Sequence, residues 1–96
     1  MSLRDALTLK NKEVAIDGTS ITLRRPSVAD LAEATMESKQ DTFIAWLVFR
    51  HLLGENGKPY FASVAEVMEC DAVFVEAIAV ECDKLYGEGR DSTAQP

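Results

Sequence analysis

The chain has 96 residues, 47% of them hydrophobic and 27% charged, with a net charge of −6. That length makes one small domain. The apolar content excludes a disordered polyelectrolyte, and the acidic balance disfavours nucleic acid and anionic membranes as partners. The start, Met1-Ser2-Leu3-Arg4-Asp5, lacks the apolar core of a signal peptide, and no run is long enough to cross a bilayer. Cys70 and Cys82 are too few for a disulfide scaffold and lack CxxC spacing, so both read as small hydrophobes in a reducing compartment.

In chain order, residues 1–11 are weakly patterned, with Leu3 and Leu7 spaced one helical turn apart. From Glu13 to Arg25 the signal is sharper. Val14 and Ile16, then Ile21 and Leu23, alternate with other residues on either side of Asp17-Gly18. An Asp-Gly pair between alternating runs predicts a β-hairpin, because its tight turn needs positive φ. Ser27 followed by Asp30 predicts a capping box that opens a helix with Val28, Leu31, Ala32 and Thr35 at helical spacing.

The most apolar stretch is Phe43-Ile44-Ala45-Trp46-Leu47-Val48-Phe49, extended by Leu52 and Leu53. Asp41 is placed to cap this helix and Gly54 to end it. At ~100° per residue, Ala45, Val48, Phe49, Leu52 and Leu53 share a face and are expected in the core. Phe43 and Leu47 fall on the other side, near Arg50 and His51. A helix apolar nearly all round needs two neighbours, so the Phe43–Leu47 side predicts self-association, with Trp46 and Arg50 beside it.

Gly54 to Pro59 is a loop by composition. Ser63 with Glu66 predicts a second capping box on a short helix. Asp71 is placed to cap a last helix reaching about Tyr86, with Phe74, Ile78, Cys82 and Leu85 inward. Gly87 predicts its stop, and residues 88–96 a disordered tail. The expected architecture is α+β and mainly α-helical, with an N-terminal β-hairpin followed by about four helices in one globular domain over residues 1–87.

Groups that would converge on catalysis are scarce. His51 is the only histidine, and its place near a helix C-terminus has a structural explanation in the helix dipole. Cys70 and Cys82 have acidic surroundings that disfavour thiolate. Glu66, Glu69 and Asp71 lack the ligand spacing of a calcium loop, and Gly54 to Gly57 lacks the Lys-Ser or Lys-Thr of a phosphate loop. No enzyme activity, cofactor or metal is expected. Arg24-Arg25 reads as a charged strand end that discourages edge pairing. The whole acidic excess falls in residues 62–83, as Glu66, Glu69, Asp71, Glu76, Glu81 and Asp83 without a single Lys or Arg. Glu66, Glu69 and Glu76 therefore join Phe43, Leu47, Trp46 and Arg50 as expected protein-interaction residues, the acids facing a basic client.

The stretch from Val14-Ala15-Ile16-Asp17-Gly18 through Ile21-Thr22-Leu23-Arg24-Arg25-Pro26-Ser27-Val28-Ala29-Asp30, followed by an acidic helical region, resembles the tail assembly chaperones of long-tailed bacteriophages (siphoviruses), in their short form. The resemblance covers most of residues 10–87. It implies a non-enzymatic factor of the host cytoplasm that coats the long helical tape-measure protein, keeps it soluble, promotes tail tube polymerisation and is absent from the virion. It also implies a longer form, made by translational frameshift, that recruits the tail tube protein, and a homo-oligomer with head-to-tail contacts. It transfers no site residues. The rival expectations are a small structural head–tail connector of the virion and a small regulatory protein-binding module.

Overall fold

The computed structural model describes residues 2–94, with side chains from Ser2 to Gly87. It is an α+β chain, mainly helical. Helix α1 (Leu3–Leu7) leads into strands β1 (Asn11–Ile16) and β2 (Thr19–Arg24). Helices α2 (Val28–Glu37) and α3 (Phe43–His51) follow, then strand β3 (Leu52–Leu53), helix α4 (Val64–Met68) and helix α5 (Ala72–Ala94).

The hairpin forms as its residues predict. Asp17 and Gly18 take φ of 50° and 80°, and Ile16 pairs with Thr19 across the turn, the geometry of a two-residue hairpin loop. Val14 faces Ile21 across the ladder, and both pack on the core with Ile16 while Leu23 is fully buried.

The sheet has a third strand that the sequence pattern did not separate from the helix. Leu52 and Leu53 leave α3 and pair antiparallel with Leu23 and Thr22, so the order is β1-β2-β3 and β2 is central. The Leu52 N–H still bonds to the Val48 carbonyl, but the backbone has turned extended. The outer edge of β3 is covered in turn: Tyr60 N–H donates to the Leu52 carbonyl at 3.0 Å and Gly54 N–H to Lys58 at 2.8 Å. Gly57 holds that turn with φ of 77°.

Helix α3 is the hub. Ala45, Trp46, Leu47, Val48 and His51 are all buried, and Phe49 is half-buried against the core. Leu47 therefore does not point away from the monomer core: α3 packs against both α5 and α4, and the two neighbours that its apolar circumference requires are inside the chain. Its N-cap is Thr42, without a side-chain capping bond, rather than Asp41. The other predicted caps form. Ser63 Oγ accepts from Glu66 N–H, and Asp71 Oδ1 accepts from Phe74 N–H. Glu66 returns its carboxylate to Ala62 N–H at 2.7 Å rather than to Ser63.

Helix α5 carries Ile78, Cys82, Leu85 and Tyr86 into the core. It continues through Gly87 to Ala94, past the predicted stop. A glycine weakens a helix interior by about 1 kcal/mol relative to alanine but does not break it, and the first proline downstream is Pro96. Of the tail expected over 88–96, the side chains of 88–94 and the whole of 95–96 lie outside the described residues.

Candidate docking groove

Two places gather side chains suited to chemistry or recognition. The first is a polar hub at the junction of β2, α2, α3 and α5. Asp30 has no exposed surface. Its Oδ2 accepts from Ser27 N–H at 2.9 Å while Ser27 Oγ accepts from Asp30 N–H at 3.1 Å, which completes the capping box. Arg50 Nε reaches Asp30 Oδ1 at 2.7 Å and Arg24 reaches Oδ2 at 3.2 Å. Burial alone would raise the Asp30 pKa. The Ser27 N–H and the two guanidiniums outweigh it and hold the carboxyl below its usual range.

His51 is also fully buried. Its Nδ1 lies 2.9 Å from the Arg24 carbonyl, and its Nε2 lies 2.6 Å from the Tyr86 hydroxyl. A carbonyl only accepts, so Nδ1 carries the proton and Nε2 accepts from Tyr86. Burial pushes the His51 pKa down, more than the Arg24 carbonyl and Asp30 push it up, and the ring is neutral. Burial likewise raises the Tyr86 phenol.

Among the described residues, no buried side-chain nitrogen or oxygen is left without a partner. The hub is satisfied, and its work is to join elements. Arg24 is thus not an edge guard. Its strand is central, and its guanidinium turns to Asp30 and to the Arg50 carbonyl at 3.2 Å.

The second place is an open trough of about 460 Å³ between α3 and α5, lined by Phe43, Ile44, Leu47, Ala79 and Val80, with Glu76 and Asp83 along it. Leu47 and Ala79 are buried at its floor, while Ile44 and Val80 remain 44% and 55% exposed. Phe43 stacks on Trp46, centroids 5.9 Å apart and planes 16° from parallel, which fixes one wall. Phe43 and Asp83 are shared with a neighbouring cleft of about 450 Å³ that also takes in Leu31, Ala34, Lys39 and Tyr86. An apolar floor with carboxylates on the same trough suits an amphipathic helix that carries basic residues beside its apolar stripe.

Of the residues expected to contact proteins, Phe43, Leu47 and Glu76 converge on this trough. Trp46 is buried, stacked on Phe43 and edge-on to His51. Arg50 is engaged by Asp30 and, at 3.2 Å, by Glu33. Glu66 is exposed but used in the α4 cap, and Glu69 is exposed at the end of that helix. Sequence reasoning does not single out Ile44 or Val80, and it names Asp83 only as part of the acidic stretch. A signal was present: Val73, Glu76, Val80 and Asp83 recur at spacings of three and four, a second face of α5 opposite the core stripe.

Comparison with known proteins adds no relative, since no family model, curated protein or solved structure matches the chain.

Proposed function

We propose that the chain is a protein-binding assembly factor of the phage tail assembly chaperone kind, which holds a helical client segment in the α3–α5 trough. The observation that carries this reading is the exposed apolar pair Ile44 and Val80 beside Glu76 and Asp83. On this reading the client is the tape-measure protein, whose long helices would be kept soluble by many copies bound in series. The chain acts in the host cytoplasm, without catalysis, and leaves before the tail is complete. A frameshifted product sharing residues 1 to about 85 would keep the trough intact and add a separate contact to the tail tube protein.

Co-expression with a tape-measure segment tests this reading. The wild-type chain should raise the soluble fraction of the segment, and Val80→Asp should abolish the effect while leaving the helical circular dichroism unchanged. Binding should also weaken with salt, because carboxylates at the surface are screened within about 8 Å at physiological ionic strength. Solubilisation that survives both Val80→Asp and Ile44→Asp would overturn the assignment of the trough.

A further inference from the structure

Residues 2–10 form an arm that carries three exposed leucines. Leu3 and Leu7 are 76% and 74% exposed, and Leu9 is exposed as well. The arm is nonetheless preformed. Ser2 Oγ accepts from Asp5 N–H at 3.1 Å, and Thr8 Oγ1 donates to the Arg4 carbonyl at 2.8 Å. Its base is fixed to the sheet by Arg25 N–H, which donates to the Lys10 carbonyl at 3.0 Å. A preset turn loses less conformational freedom on docking than a loose one.

We propose that this arm docks in the α3–α5 trough of a second copy of the chain. Leu3 and Leu7 lie one above the other on the helical turn. Arg4 lies ~100° round from Leu3 and Asp5 a further ~100°, on the far side. With both leucines seated between Ile44 and Val80, Arg4 falls toward Glu76 and Asp83 while Asp5 points to solvent. The apolar surfaces match in kind and the flanking charges match in sign. The two surfaces are different parts of the chain, so the contact is heterologous and passes from copy to copy, into a ring or an open filament according to the rotation between neighbours.

This deepens the reading of the trough as a helix-docking site, because the arm and a client helix compete for it. A single arm buries few side chains, so association is weak in dilute solution, and a client helix that fills the trough displaces the arm.

Complementation between two variants tests the proposal. Leu3→Asp with Leu7→Asp removes the arm's grip and keeps the trough, while Val80→Asp blocks the trough and keeps the arm. All three altered side chains are exposed, so folding should be retained, which circular dichroism checks. In sedimentation velocity, wild-type chain should associate with rising concentration. Each variant alone should have a dissociation constant raised roughly tenfold or more. An equimolar mixture of the two should recover a 1:1 complex.

The proposal is overturned if the wild type stays monomeric at every concentration, as it would if each arm folded into its own trough. It is also overturned if the arm variant associates as the wild type does, which would assign the contact to another surface such as the outer edge of the sheet at β1. Recovery in the mixture together with failure of a tape-measure segment to bind the arm variant would sustain the arm contact and remove the client reading.

Discussion

Helices α2 and α3 are neighbours in sequence and are held by opposite means. Helix α3 is fastened by packing: four consecutive residues, Ala45 to Val48, are buried and nearly its whole circumference is covered. Helix α2 has one buried residue, and it is a carboxylate, Asp30. Its apolar side chains Val28, Leu31 and Met36 are exposed. It is tied down at its first turn by the capping box and the two arginines, with Ala34 as a light contact on the core. The same chain thus contains a helix held mainly by hydrophobic burial and a helix whose seat depends on a charge.

The sharpest way to break that comparison is to cut matched leucines. Leu47→Ala should cost about 3 kcal/mol, within the roughly 2–5 kcal/mol range for buried leucines, whereas Leu31→Ala should change stability by no more than about 0.5 kcal/mol. Equal losses for the two in urea titrations would mean that α2 is packed after all.

Asp30→Ala comes next, at roughly 2–3 kcal/mol. It removes a cap and leaves two guanidiniums without their shared partner; the loss is placed at the low end because both arginines keep partial contact with water. Hydrogen exchange should show the amides of α2 opening first in this variant, with those of α3 nearly unchanged.

Acid should act in two stages. His51 has a folded pKa below 6.5, so its neutral form stabilises the fold fully above that pH, and stability falls as pH drops through 6.5 toward the folded value. Asp30 has a folded pKa below 3.8, so its contribution holds above 3.8 and is lost only further down. Melting temperature against pH should therefore decline from mildly acid conditions, and His51→Gln should flatten the first stage alone. The smallest effect concerns Gly87, which has ordinary φ and open space where a Cβ would project. Gly87→Ala should raise stability by about 0.5–1 kcal/mol, and a loss instead would contradict the helix running on past Tyr86.

The parts of this fold that could be read from the sequence are those set by neighbours a few residues apart. The Asp17-Gly18 turn, the Ser27–Asp30 box and the Asp71 cap each depend on spacings of one to three, and all three form. The third strand depends on distance instead. Leu52 and Leu53 continue an apolar helical run, and only the vacant edge of β2, some thirty residues earlier in the chain, draws them into the sheet. His51 meets the same limit. The helix dipole gives a structural reason for a histidine at that helix end, but it is the Arg24 carbonyl and Tyr86, 27 and 35 residues away, that allow it to be buried. The trough is half legible: Phe43, Leu47 and Glu76 stand out in the sequence, while Val80 lies on a second face of α5 that the stronger core stripe masks.

The two cysteines make the chain its own reporter. Cys70 is exposed, and Cys82 is fully enclosed on the inner side of α5, its thiol pushed up to about 12 by burial and by the adjacent Glu81 and Asp83. A maleimide offered to the native chain should modify Cys70 promptly and Cys82 only when α5 lifts away from α3. The lag between the first and second adduct in a mass spectrum would then time the breathing of the wall that forms the trough, without any label having been engineered in.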